Sequence, residues 1–541
     1  MPLDVLVSGR IATFAGAAGF GWVESIGIRG GRVAFAGTAI ELETRADPHT
    51  LRIELEPGEI AIPGLTDAHL HVIDAALGAT QVDLASAPSL HVGLERIAEA
   101  ARRLPAPAWI QGGGWDHRRW GSWPTAEAIE RVAPGRLVAL RSFDHHALWA
   151  SHAALAAAGI GAATPDPDGG VIRRSVDGTP DGTLLENASG MIADVIPPPA
   201  PAVVAQAIEA LGHELLSLGV VGAHDPRFLA PDPANWAFDV YAALADAGDL
   251  PIRVHVGVRA DGLEDAIARG YRSGMALGGA TGRGAGRLTM GWLKLFADGT
   301  LASRTAALLE PVEGGTDRGL FTTPPEVLGE LATRAAAAGI ATKIHAIGDA
   351  AVRTSLDVLG PTAGSVALMP RLEHVQLCHP DDRARFGALG VAASVQPVHL
   401  REDAATARRD WGARAERDGY IWRTLLDAGA VLAFGTDAPV EPIDPWPGIA
   451  MAVLRRDPSW APDARAFGPG EALTLEQSLR AATVGPHLAA RDPLGGRLVP
   501  GSRADLIVLP AAPREGGEQA ANFAEVRPRL VVLDGEVVIE R

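Results

Sequence analysis

Two histidines open the chemistry of this chain. Residues 60–72 read Ile-Ala-Ile-Pro-Gly-Leu-Thr-Asp-Ala-His-Leu-His-Val, placing His69 and His71 two positions apart. On a β-strand that spacing puts both imidazoles on one side and Leu70 on the other. Two neutral imidazoles side by side form a pincer for a divalent metal, although His-x-His also arises from core packing. A second signal lies in the basic residues: Lys294 and Lys343 are the only lysines among 48. A lysine that survives such a bias towards arginine points to a role guanidinium cannot fill, and Lys294 is the stronger candidate.

Positioning these groups needs a scaffold. From residue 60 onward, strand and helix patterns alternate, as in parallel α/β folds. Candidate strands are 60–72, 220–224, 252–258, 288–296, 341–346, 371–377, 391–398 and 430–435, with Ala-rich helical stretches such as 325–338 and 420–428 between several of them. Eight such strands predict a (β/α)8 TIM barrel over residues 61–489. The gap between the first two is too long for one crossover helix, so an inserted subdomain is expected at about 80–205, leaving through Pro197-Pro-Pro-Ala-Pro201. Short strands near both ends, including a hairpin signal at Asp534-Gly535, predict a small β-sandwich domain from residues 1–60 and 490–541. Barrel enzymes carry their sites at the C-terminal strand ends. There the chain places His69 and His71, Lys294, His345, His374 and Asp437, six metal-competent positions.

These residues resemble the amidohydrolase superfamily, and within it the "amidohydrolase 3" subgroup that contains N-substituted formamide deformylases. The matching stretches run along nearly the whole chain: Gly113-Gly-Trp-Asp, Trp123-Pro-Thr, Asp166-Pro-Asp-Gly-Gly170, residues 294–306, His345-Ala-Ile-Gly-Asp349 and Ser394-Val-Gln-Pro-Val-His399. The resemblance implies two divalent metals, expected to be Zn2+. His69, His71 and Asp437 hold one and His345 and His374 the other, bridged by Lys294 as a CO2-derived carbamate. The alternative at Lys294 is an ammonium paired with Asp298 beside a single metal. Metal-activated hydroxide then attacks an amide-type carbonyl, with Asp437 as the catalytic group that takes the water's proton and returns it to the leaving nitrogen. The resemblance further implies substrate contacts from His399, His146 and, as an aromatic wall or simply as packing, Trp115. The chain departs from the pattern at Asp144-His-His-Ala-Leu-Trp149, where His145 replaces a glycine, and at Ser151-His152. Cys378, four residues beyond His374, is expected to pack in the core.

The expected activity is therefore metal-dependent hydrolysis of a non-peptide carbon–nitrogen bond, in an amide or N-substituted formamide. Ester or organophosphate hydrolysis on the same metals is the alternative, and a non-catalytic regulatory protein is a third reading, which the intact six-residue set opposes. A metallo-β-lactamase is excluded because that fold needs His-x-His-x-Asp-His, whereas His71 is followed by Val72-Ile73-Asp74-Ala75. The 541 residues are 47% apolar and 21% charged, as in globular proteins, and the net charge of −17 argues against nucleic acid or an anionic membrane as partner. A small-molecule substrate is expected, with a homodimer as a possible assembly. The opening Met-Pro-Leu-Asp-Val predicts no secretory leader, no run is long enough to span a bilayer, and the single cysteine suits a reducing cytoplasm.

Overall fold

The computed structural model describes residues 2–143, 147–167, 170–186, 188–226, 236–279, 286–461, 463–510 and 524–541. Its centre is a sheet of eight parallel strands: β1 (Leu65–Asp67), β2 (Val220–Asp225), β3 (Arg253–Arg259), β4 (Leu288–Phe296), β5 (Thr342–Ala346), β6 (Arg371–His374), β7 (Ala392–Val395) and β8 (Leu432–Phe434). The strands pair in chain order, and helices such as Trp236–Ala247, Pro325–Ala337, Asp349–Leu359 and Trp422–Asp427 separate successive pairs. This is the expected TIM barrel. Backbone bonds close it: the Ala68 N–H donates to Phe434 O at 2.8 Å and the Asp437 N–H to His69 O at 2.7 Å.

The structure corrects one expectation, since the run 60–72 is not the single strand its apolar pattern predicts. Ile60–Pro63 pairs with Leu506–Leu509 outside the barrel, and only Leu65–Asp67 enters it. Gly64 is the switch: its own N–H reaches Asp505 O at 3.0 Å, while the next N–H, that of Leu65, reaches Gly219 O at 2.9 Å. His69 and His71 therefore lie beyond the strand, on the segment that joins β1 to helix Val72–Ala79.

Both chain ends contribute to a second sheet. Its order is Glu536–Glu540, Leu530–Leu533, Leu506–Leu509, Ile60–Pro63, Val5–Ala12, Trp22–Arg29 and Arg32–Gly37, with Leu51–Glu54 paired to Val5–Ala12. Val7, Ile11, Ile28, Leu506, Val508 and Val532 meet in one buried cluster, so neither end builds this core alone. The hairpin at Asp534-Gly535 has positive φ at both residues, +54° and +79°, as a type I′ turn requires. Arg253 at the start of β3 ties this sheet to the barrel through two bonds to Asp505, at 3.0 and 3.1 Å, and a third to Asp534.

The chain divides into two compact units, residues 1–75 with 208–541, and residues 76–207. The second unit has a mixed six-stranded sheet with Trp115, Ile129, Leu140 and Trp149 in its core. Among the described residues no helix is long and apolar enough to cross a membrane.

The barrel interior is strongly polar. Alternation along β4, β5 and β6 places Trp292, Lys343 and Arg371 fully buried and packed together. Arg371 Cζ lies 4.2 Å from the Trp292 ring centroid and Lys343 Nζ 5.6 Å. Closure leaves no slack above this layer, because a Cβ on Gly435 would sit 2.5 Å from the His69 backbone nitrogen. Gly435→Ala is expected to destabilise the barrel by about 1–3 kcal/mol, as overpacking does. A lower urea midpoint checks this; an unchanged melt contradicts the tight closure.

Candidate active site

The first ligand candidates are held from both sides of the closure. The buried Asp67 carboxylate accepts the His69 N–H at 2.9 Å, and the Thr436 N–H and hydroxyl at 3.1 and 2.6 Å. The His71 N–H donates to Ala438 O at 3.0 Å. His69, His71 and Asp437 are thus fixed by one interlocked pair of segments. Asp437, His374 and Val375 all have left-handed backbones, with φ of +62°, +74° and +46°. Such conformations cost non-glycine residues energy and persist where the surroundings impose them.

Asp437 is the hub. Its Oδ1 lies 3.3 Å from His69 Nε2 and 3.1 Å from His71 Nε2, and its Oδ2 lies 3.3 Å from His399 Nε2 and 4.0 Å from His374 Nδ1. Donor atoms of His69, His374 and Asp437 fall within 4.8 Å of one another. The His345 ring stacks edge-on against His374, with centroids 4.4 Å apart. The 3.3 Å approach of Asp437 lacks hydrogen-bond alignment, so among the described residues His69 Nε2 has no hydrogen-bond partner; nor has His374 Nδ1, and both atoms are buried.

Tautomers follow from the partners. Glu373 Oε2 can only accept, so His69 donates from Nδ1, at 2.5 Å, and turns the Nε2 lone pair to the cluster. His345 likewise donates Nε2–H to Gly299 O at 2.9 Å, leaving Nδ1. Burial holds His69 down at about 3, partly offset by Glu373, and His345 down at about 4; His374 is held well below the usual range for the same reason. These rings are neutral at physiological pH, as metal ligands must be. Burial opposes charge on Asp437, yet the imidazoles around it, with hydrogen bonds from His399 and His71, keep its carboxyl well below the ordinary range. Burial also lowers the Lys294 amine to about 8, against the pull of Glu373 and Asp437. Buried neutral imidazoles with unpartnered nitrogens around an ionised carboxylate fit a divalent cation.

The alternative pairing of Lys294 with Asp298 is corrected by the structure. Asp298 accepts the backbone N–H groups of Ala307, Ile347 and Gly348, at 2.9, 3.0 and 2.8 Å, and the Lys294 ammonium lies 4.7 Å from the Phe296 ring centroid. His399 belongs with the cluster. It sits on a 3-10 turn, Pro397–His399, beyond β7, and bridges Asp437 to Glu441, whose Oε1 is 3.2 Å from its Nδ1. Burial opposes its protonation, but the hydrogen bonds to Asp437 and Glu441 prevail and raise it to about 10. Trp115 is fully buried in the 76–207 unit, where its indole N–H donates to Leu140 O at 2.8 Å and its ring borders a cavity of about 270 Å³. His146, with Asp144 and His145, lies outside the described residues. Ser151 caps the helix His152–Ala157 by accepting the Ala154 N–H at 3.1 Å. Cys378 is buried, and burial pushes its thiol up to about 12.

Sequence reasoning misses Glu373, Arg371 and Glu441. Arg371 donates to Glu373 Oε1 at 2.7 Å, to Ala68 O at 2.6 Å and to His224 Nδ1 at 2.9 Å. A signal for two of them exists: Arg371 and Glu373 alternate on a buried strand beside His374, and two charges facing a barrel interior must serve each other. Were a cation held at His69 Nε2, Glu373 would make the outer bond of a carboxylate–histidine–metal arrangement. Glu373→Gln is expected to weaken metal binding about 10- to 100-fold, the usual range for such partners. Competition against a fluorescent chelator measures this; unchanged affinity would remove Glu373 from the ligand system.

Known proteins share this architecture along nearly the whole chain. The model of the Amidohydrolase family matches residues 57–539. The Bacillus subtilis (strain 168) protein YtcJ, which carries an amidohydrolase name, is 29% identical over 523 residues, 96% of each chain. The N-substituted formamide deformylase of Arthrobacter pascens is 28% identical over 543 residues, covering 96% of this chain and 95% of that one. The crystal structure of an uncharacterized metal-dependent hydrolase from Pyrococcus horikoshii OT3 superposes with a TM-score of 0.78 at 26% identity, over 95% of this chain and 99% of that one.

Proposed function

The chain belongs to the amidohydrolase family, and from that premise we propose that it hydrolyses the carbon–nitrogen bond of a small non-peptide amide, an N-substituted formamide or a near relative. By kinship it is a metal-dependent hydrolase. The observation that carries the reading further is the pair of buried, unpartnered nitrogens, His69 Nε2 and His374 Nδ1, converging on the Asp437 carboxylate. In this reading His69, His71 and Asp437 would hold one divalent ion, His345 and His374 the other, and a carbamate on Lys294 both. Zinc suits imidazole and carboxylate donors, and such ions supply Lewis acidity that polarises a carbonyl and acidifies water.

The remaining work falls to side chains. Lys294 must react with CO2 as a free amine, losing a proton as its nitrogen bonds to carbon. Burial to 2% exposure, which lowers its pKa to about 8, favours that form. Asp437 takes the proton of the attacking water and hands it to the departing nitrogen, which cannot leave as an anion. His399, held between Asp437 and Glu441 and kept protonated by them, would lend a nearby positive charge as the carbonyl oxygen gains negative charge. The resemblance to the Arthrobacter pascens enzyme along 96% of this chain supports an N-formyl substrate.

A panel of N-formyl amines, N-acyl amines, lactams and carboxyl esters, offered to the zinc-loaded protein, tests the bond class. Turnover of esters alone would overturn the amide reading.

Two further outcomes are expected. Lys294→Ala should lose activity and recover part of it with added propionate, whose carboxylate replaces the carbamate. Lys294→Arg should be equally inactive and stay so, because guanidinium keeps its charge in the same space. Activity in Lys294→Arg near that of the unaltered enzyme would eliminate the carbamate. Asp437→Asn should lower kcat by roughly 10² or more on an amide, and by less on an activated ester whose leaving group needs no proton. Equal losses on the two substrates would move leaving-group protonation to another residue, with His399 first.

A further inference from the structure

His345 stands on β5, and its use as a ligand depends on which ring nitrogen carries the proton. The Gly299 carbonyl accepts from Nε2 at 2.9 Å, which keeps the Nδ1 lone pair for the cluster. Asp298 Oδ1, 3.6 Å from the same Nε2, is beyond hydrogen-bond reach and already accepts the Ile347 N–H. The proton on His345 is therefore only as well placed as the carbonyl of Gly299. That carbonyl lies at the edge of the structure: Gly299 is half-buried, and Thr300, Ser303 and Arg304 are exposed, where water competes for backbone groups.

The carbonyl of Gly299 and the N–H of Thr300 belong to one peptide plane, so holding one end orients the other. Thr305 holds the N–H end, its Oγ1 accepting from Thr300 N at 2.9 Å. The loop is folded to make this contact. The Gly299 N–H donates to Thr305 O at 3.2 Å, and the Thr305 N–H to Thr300 O at 3.0 Å. A Cβ on Gly299 would collide with the Thr305 hydroxyl, so only glycine admits it. Two residues on, the Ala307 N–H donates to the buried Asp298 carboxylate at 2.9 Å, which also takes the Gly348 N–H beyond β5 at 2.8 Å. Thr305 is thus presented from the same frame that carries His345.

We propose that Thr305 is a positioning residue of the metal centre: its hydroxyl orients the Gly299–Thr300 peptide, and through it the proton of His345. The inference rests on the two-ion reading above. Without the hydroxyl, the Thr300 N–H turns to water and the peptide plane is released. His345 can then carry its proton on Nδ1, which blocks the lone pair that the ion at His345 and His374 needs.

Zinc titrated by calorimetry into chelator-stripped protein under CO2-equilibrated buffer tests this. Thr305→Val keeps the side-chain shape without the hydroxyl; Thr305→Ser keeps the hydroxyl. Thr305 is half-buried on a loop, so both variants should fold. In Thr305→Val one ion should bind about tenfold more weakly, the lower end of the range for groups that orient a ligand, and the other within about twofold of the unaltered protein. Thr305→Ser should hold both within about twofold. His345→Ala identifies the affected ion, and adding Thr305→Val to it should cause no further loss. Unchanged binding in Thr305→Val, equal weakening of both ions, Thr305→Ser as weak as Thr305→Val, or a further loss in the double variant overturns the proposal. Fewer than two ions in the unaltered protein would instead strike the two-ion reading, and this inference with it.

Discussion

A fully buried ion pair, Arg371 with Glu373, sets the geometry of the site. Neither residue has any solvent exposure, so the desolvation of both charges must be met by their mutual bond and by their other partners. Those partners are what matter. Arg371 grips Ala68 O on the segment that leads to the histidine pair, and Glu373 grips His69 itself. Losing one half of such a pair typically costs about 3–5 kcal/mol, because the other charge is stranded. A barrel interior of branched aliphatics would be simpler to stabilise. Here Trp292, Lys343 and Arg371 occupy that layer, and the stability of the core is linked to the orientation of His69.

A similar coupling operates at the seam of the barrel. Asp67 serves both edges, binding the His69 N–H from its own segment and Thr436 from the last one. Asp437 and His374 hold left-handed backbones just where the strands end, which turns their side chains to one point. Strain at those residues is balanced by closure of the sheet, so the metal-competent cluster and the seam form one mechanical unit. Nearby loops are held in the same manner, with Asp298 collecting three backbone N–H groups rather than pairing with Lys294.

Much of this is legible in the residues, for definable reasons. The barrel announces itself through alternating strands and helices, and the cluster through chemistry-bearing types at strand ends. The run carrying His69 and His71 misleads because Pro63 and Gly64 sit inside an apolar stretch: the pattern looks continuous, while the backbone leaves one sheet for another at Gly64. Glu373 and Arg371 stay hidden because an arginine and a glutamate two residues apart read as a solvated pair unless both faces of the strand are known to be buried. Lys343 is the second of two surviving lysines, and only tertiary packing reveals it in the barrel centre, its Nζ without a hydrogen-bond partner among the described residues.

If the buried cluster is the metal centre of a hydrolase, activity must follow metal occupancy. Titrating zinc into chelator-stripped protein under CO2-equilibrated buffer, while following amine release from an N-substituted formamide, examines this directly. Activity should be absent at the start, rise in step with bound metal and level at two ions per chain. Amine release that is already maximal without metal, or two bound ions with no hydrolysis of any amide, would contradict it.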